Sequence, residues 1–189
     1  MGAYMSWQSY VTTLSGSLCA LEANAVGGQG VGVEEAFKHW HALAESVRKE
    51  NGVIYLIGNG ASASMASHFA ADLFKNGGIR TQIFTDSASI TAIGNDLSFD
   101  QVFALPLERC ACHKDVLVAI SSSGQSGNIL SAVRAAKDKQ ATVVTLSSFA
   151  PGNTLRLMGD INFYVPASTY GIAESCHAVI LHAWMDSLL

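Results

Sequence analysis

A parallel, doubly wound α/β sheet is predicted by three features of this chain. Val116, Leu117, Val118, Ala119 and Ile120 form an unbroken apolar run, the mark of a strand covered by helices on both faces. From Val53 onward, strand-like and helix-like segments alternate with short loops between them. The central run then breaks at Ser121-Ser122-Ser123-Gly124-Gln125-Ser126-Gly127-Asn128 before Ile129, Leu130, Val133 and Ala136 resume at helical spacing, giving strand, polar loop, helix.

Taken in order, Trp7, Tyr10, Val11, Leu14, Leu18 and Leu21 trace one helical stripe. After the breaker Gly27-Gly28-Gln29-Gly30, a second stripe of Phe37, Trp40, Leu43, Ala44 and Val47 runs to Asn51-Gly52, a helix stop. Such helices can cover a sheet or join a bundle with other subunits, and the pattern does not choose. Five strands are expected near 53–57, 80–85, 115–120, 141–146 and 161–165, with helices near 61–76, 100–112, 127–139 and 172–188. No linker or repeat interrupts them, so one domain is expected over 1–189, with helices in 1–52 and the α/β core in 53–189.

Composition narrows the classes of function. Apolar residues make up 49% and charged residues 14% of the 189, and the mean hydropathy of +0.27 is high for a soluble domain, which points to surface committed to subunit contacts. No apolar run reaches the roughly 18 residues that would span a bilayer. A net charge of −4 provides no basic face for nucleic acid. Cys19, Cys110, Cys112 and Cys176 are scattered without zinc-type pairing and are expected to be reduced core thiols. No Lys or Arg precedes Lys38, so a basic signal region is not expected and the cytoplasm is the expected compartment. Met1-Gly2-Ala3-Tyr4-Met5-Ser6 formally fits a myristoylation pattern, but no basic patch offers a second anchor.

Chemistry concentrates at strand ends, where open α/β sheets bind ligands. At the end of the central strand, four hydroxyls within six residues (Ser121, Ser122, Ser123, Ser126) meet the start of a helix. Free N–H groups, the positive end of the helix dipole and neutral donors suit a phosphate monoester better than a plain capped turn. The first strand ends in Gly58-Asn59-Gly60-Ala61-Ser62, whose glycines permit a tight turn and whose Asn59 and Ser62 offer hydrogen bonds to a polyhydroxylated ligand. A dinucleotide reading lacks the third glycine. His68 and Asp72 are one turn apart and can hold a metal, act as an acid/base pair or simply hydrogen-bond at the surface. Asn95-Asp96 reads as a plain turn. In the last helix Glu174, His177 and His182 stand among apolar residues, and His182 on local grounds is a core histidine.

Together GNGASA, HFAADL, TAIGND and VLVAISSSGQSGN, in that order over roughly 53–189, resemble the sugar isomerase (SIS) domain family and, within it, the bacterial phosphoheptose isomerases. The resemblance implies a flavodoxin-like winding and an aldose–ketose isomerase that converts sedoheptulose 7-phosphate to glycero-manno-heptose 7-phosphate through an enediol. It also implies a homotetramer whose amino-terminal helices pack between subunits, so that a neighbour can contribute to the site. Ser121, Ser122, Ser123 and Ser126 would hold the phosphate. Asn59, Gly60, Ala61, Asn95 and Asp96 match substrate-contacting segments. His68, Asp72, Glu174 and His182 match ligands of a zinc ion, with Asp72 also the base and His182 the acid. His177 would lie behind the site or in the core.

The sequence departs from the family's usual pattern, which has Glu where Asp72 stands, Gln where Glu174 stands and Glu where Ser175 stands. Asp is shorter by one methylene, about 1.5 Å, whereas Glu174 adds a carboxylate that suits zinc. A rival reading is a non-catalytic SIS protein that binds a protein partner, such as the replication-initiator-associating type, or that senses a sugar phosphate. The intact SSSGQS loop and His182 favour the enzyme.

Overall fold

The computed structural model describes residues 5–189, so most of the myristoylation pattern lies outside the described residues. Helix α1 (Trp7–Cys19) is capped by the Ser6 hydroxyl, which accepts from the Ser9 N–H. It lies on the last helix with Tyr10, Leu14 and Leu18 partly covered, while Trp7 (75% exposed) and Val11 face outward. Helix α2 (Val33–Glu50) covers the sheet instead, and it stops as expected: Asn51 turns left-handed at φ 54° and the Gly52 N–H returns to the Val47 carbonyl. Its Trp40 is fully buried, stacked on Trp184 at 4.1 Å and tilted against Phe163 at 5.3 Å.

Among the described residues the sheet has seven strands rather than five. Between α1 and α2 lies an antiparallel hairpin, β1 (Glu22–Ala25) and β2 (Gly30–Val31), whose turn is the glycine-rich breaker. Its strands are short and β1 is built from Glu, Ala and Asn, too little apolar alternation to register as a strand. They are followed by β3 (Ile54–Gly58), β4 (Thr81–Gln82), β5 (Val116–Ser121), β6 (Thr142–Ser148) and β7 (Ile161–Val165), in the order β2-β1-β7-β6-β5-β3-β4. The five strands from β3 onward pair parallel, in the flavodoxin-like order, and β1 adds to β7 antiparallel. The second strand pairs over Thr81 and Gln82 only, much less than 80–85.

Helices α3 (Ala61–Lys75), α5 (Gln101–Cys110), α6 (Gly127–Asp138) and α7 (Tyr170–Asp186) stand within two residues of the expected bounds. Helix α4 (Ser87–Asp96) occupies the stretch read as a loop. Its start is fixed by Asp86, whose carboxylate accepts from the Ser89 N–H and is thereby held below the usual carboxylate range, and Ile90 and Ile93 pack on the sheet's helical cover. Alternate side chains of the parallel strands enter two cores. Ile54, Leu56, Val118, Ile120 and Leu146 meet α2, α3 and α7. Tyr55, Ile57, Leu117, Ala119 and Val143 meet α5 and α6.

Of the cysteines, only Cys176 is a core thiol, and burial pushes its pKa up to about 11. Cys19 and Cys110 are exposed, Cys112 is half-buried, and all four are free. No helix among the described residues is long and apolar enough to cross a membrane. Because Trp40 joins α2, α7 and β7, Trp40→Ala is expected to lower the free energy of unfolding by about 3–5 kcal/mol, measured by denaturant titration.

Candidate active site

The chain winds outward from β3 to β4 on one side and from β5 to β6 and β7 on the other, so the winding reverses between β3 and β5. Beyond their carboxyl ends a cavity of about 130 Å³ is lined by Asn59, Ser62, Ser121, Ser122, Ser123, Ser126, Tyr170 and Glu174, over Ile120. Close packing builds its floor. A side chain on Gly58 would stand 2.6 Å from Ser62, so glycine is what lets α3 start directly above β3.

The serine loop turns on Ser121: its carbonyl and hydroxyl both accept from the Gly124 N–H, at 3.0 and 3.2 Å, and the hydroxyl lies 3.3 Å from that of Ser126. Ser123 accepts from the Gln125 N–H. Ser126 is the N-cap of α6, but its hydroxyl makes no bond to the helix; the Ile129 and Leu130 N–H groups go to its carbonyl instead. The Ser126 hydroxyl, bonded to that of Ser121 but not to the helix, thus stands at the positive end of α6. Among the described residues no Lys or Arg lines the cavity, whose polar surface is made of hydroxyls, an amide and the Glu174 carboxylate.

Asn59 is half committed. Its amide and that of Asn128 exchange reciprocal hydrogen bonds at 3.0 and 2.9 Å, tying the loop after β3 to the start of α6. Asn128 and Tyr170 were not singled out by the sequence reading. Asn128 stood in the polar loop without a distinguishing pattern, and Tyr170 gave no local signal, since only the register of α7 brings it to the cavity.

His68, Asp72 and His182 form a second group. His68 Nε2 lies 3.4 Å from the Asp72 carboxylate, and the His68 and His182 rings stand edge-on at 5.7 Å, with Phe69 beneath His182 at 4.7 Å. His182 is exposed, not the core histidine its neighbours suggested. Helices α3 and α7 pack side by side, and both start at the carboxyl edge of the sheet where they border the cavity, so His68 and His182 lie further along the same two helices. His68 lies about 9 Å below Ser62, and His182 about 12 Å below Glu174, at 1.5 Å per residue.

Other expectations are not brought together. Gly60 and Ala61 are exposed above the start of α3 and do not line the cavity; Gly60 is the helix N-cap at φ +56°. Asn95 and Asp96 end α4, exposed and hydrogen-bonded to each other, because the stretch is helical and carries them outward. The four expected zinc ligands are split, since Glu174 belongs to the serine cavity and His182 lies two turns further along α7. Among the described residues no group of three or more His, Cys, Asp or Glu side chains is placed to hold a metal ion.

A mixed sheet, parallel from β3 to β7, with a hydroxyl-lined cavity at its reversal point defines an α/β domain of the class that takes ligands at its strand ends. Residues 34–148 match the family model described as SIS domain, and the chain belongs to that family. It is 35% identical over 165 residues to the phosphoheptose isomerase of Shewanella loihica, covering 78% of this chain and 84% of the relative. The structure of a phosphoheptose isomerase from Neisseria gonorrhoeae superposes with a TM-score of 0.77 at 32% identity, over 82% of this chain and 86% of the other. That from Francisella tularensis superposes at 0.82 and 28% identity, over 96% and 93%.

Behind the cavity His177 is fully buried, and burial brings its pKa down to about 4 from the ordinary 6.5. Between those values the unfolded chain binds the proton that the folded one refuses, so stability rises with pH across the window. This contribution is complete above the unfolded value and is lost as pH falls toward about 4, on the order of 3 kcal/mol. Denaturant titrations from pH 7 to 4 are expected to show this loss, and His177→Asn to flatten the slope relative to the parent.

Proposed function

We propose that this protein is an aldose–ketose isomerase of a seven-carbon sugar phosphate, interconverting sedoheptulose 7-phosphate and glycero-manno-heptose 7-phosphate. One observation carries the reading: α3 and α7 border the serine cavity through Ser62 and Glu174, and further along these two helices, by about 9 and 12 Å of helix rise, stand His68 and His182 with Asp72 beside them. An extended heptose 7-phosphate spans on the order of 10 Å from phosphorus to C1, about eight bonds near 1.5 Å at tetrahedral angles. With the phosphate on Ser121, Ser122, Ser123 and Ser126, the sugar hydroxyls pass Ser62, Asn59 and Glu174, and C1 and C2 come to the histidines. The names of the relatives, phosphoheptose isomerases, support the same substrate class.

In the ketose-to-aldose direction, the Asp72 carboxylate takes a proton from C1 while His182 gives one to the C2 carbonyl oxygen, leaving a neutral enediol. The proton on Asp72 then goes to C2 as the O1 hydroxyl proton passes to His182, which forms the aldehyde and resets both groups. His68, beside Asp72, orients the carboxylate. Zinc bound near these oxygens would stabilise the enediolate, but the four expected ligands do not meet within one chain, and no step is assigned to it. Gly60, Ala61, Asn95 and Asp96 stand outside the cavity and take no part in this scheme.

Exposed Trp7 and Val11 on α1 support self-association, with a homotetramer in the cytoplasm as the proposed state. Purified protein incubated with sedoheptulose 7-phosphate is expected to yield the aldose. Asp72→Asn and His182→Ala should lower kcat by roughly 10²–10⁴-fold, and Ser126→Ala should mainly raise KM. Binding without turnover on any five- to seven-carbon ketose phosphate would instead establish the sensor or partner-binding reading.

A further inference from the structure

The cavity's serines are held from beneath by a buried polar layer for which the isomerisation scheme has no role. Ser147, Ser148, Asn153 and His177 are all fully buried. The Ser148 N–H donates to the Ser122 carbonyl at 3.1 Å, one residue beyond the last β5–β6 pair, Ser121 with Ser147. The Ser148 hydroxyl lies 3.2 Å from His177 Nε2. Asn153 donates to the Ser147 hydroxyl and to the Ser148 and Ala150 carbonyls. It also sits directly under Gly124, at φ +62°, where any side chain would meet it at 2.0 Å. Immediately after Ser148 the backbone is strained: Phe149 is left-handed at φ 59°, its carbonyl accepts from the Tyr164 hydroxyl, and its ring meets Tyr170 of the cavity wall at 5.0 Å.

We infer that His177 is a positioning residue for the phosphate-binding loop: its Nε2 takes the Ser148 hydroxyl, fixing the strained end of β6 whose N–H holds Ser122 in place. The inference rests on the proposed use of the serine loop. Burial keeps the imidazole neutral, so one ring nitrogen is an acceptor. Ser148 supplies the hydroxyl for it, and the Ser147 backbone faces the ring as partner for the protonated nitrogen, although Nδ1 makes no well-formed hydrogen bond. A phenyl ring in the same space would leave the Ser148 hydroxyl unpaired in a site without water access, and relieving it by a shift of the backbone at the strained Ser148–Phe149 junction would move the N–H that Ser122 depends on. His177 lies one turn past Glu174 on the buried side of α7, so it touches no substrate.

The test is calorimetric titration of the intact protein with inorganic phosphate, together with KM and kcat on sedoheptulose 7-phosphate, for the parent, His177→Phe, His177→Gln, Ser148→Ala and the double variant His177→Phe/Ser148→Ala. His177→Phe and Ser148→Ala are each expected to weaken phosphate binding and raise KM by about tenfold with kcat within about threefold of the parent. The double variant should be no worse than either alone, since both remove one bond. His177→Gln, which keeps an acceptor, should recover most of the binding. If His177→Phe does not fold, Ser148→Ala carries the same comparison.

Phosphate binding unchanged in Ser148→Ala, or additive losses in the double variant, would overturn the inference. So would a fall in kcat with KM unaltered. A parent that binds phosphate but turns nothing over would refute the proposed isomerase while leaving the loop's support to be read from binding alone. A parent that neither binds phosphate nor turns over sedoheptulose 7-phosphate would refute both.

Discussion

Because β3 and β5 are hydrogen-bonded neighbours, and the helices that follow them depart to opposite faces of the sheet, the loops between are forced apart. α3 leaves toward α2 and α7, and α6 leaves toward α5. Between them opens the crevice in which Ser121, Ser126 and Asn59 converge. The polar groups on the two loops, Asn59, Ser62 and the serines, inherit their positions from this divergence, while α7 brings Tyr170 and Glu174 to them. The packing that makes it possible is close: Gly58 against Ser62 on one side and Gly124 against Asn153 on the other, two points where backbone meets a neighbour with no room for a side chain.

Among the described residues, those lining the cavity carry no formal positive charge. Its donors are serine hydroxyls and the N–H groups at the head of α6, and the chain carries a net charge of −4. An anion held this way gains little from long-range steering and much from geometry, since neutral donors are strong only when several point to one spot. That places the demand on rigidity, and the buried layer of Ser147, Ser148, Asn153 and His177 supplies it.

What was legible in the sequence depended on how local the physics is. The buried strand at Val116–Ile120, the hydroxyl-rich loop after it and the helix stop at Asn51-Gly52 are written in consecutive residues, and they form as read. The β1–β2 hairpin escaped because its pairing partner, β7, lies far along the chain and its own residues carry no strand pattern. Helix α4 escaped because Asn95-Asp96 is a turn signal that the Asp86 cap and the packing of Ile90 and Ile93 override. His182 was misread locally for a tertiary reason: the apolar residues around it belong to the opposite side of α7. The resemblance implied a site role for it together with Glu174, which stands two turns earlier in the same helix, and the two stay apart in this chain.

The reciprocal pair between Asn59 and Asn128 bears on chemical ageing. Asn59 precedes Gly60, the dipeptide in which a side-chain amide is most readily attacked by the following backbone nitrogen and hydrolysed to a carboxylate. Here the amide is held at both its oxygen and its nitrogen by Asn128, and the next residue is fixed as the cap of α3. A carboxylate at that position has no N–H to return, so it would set oxygen against oxygen and add negative charge beside the serine loop. The same two hydrogen bonds that join β3 to α6 thus also hold the amide against that attack.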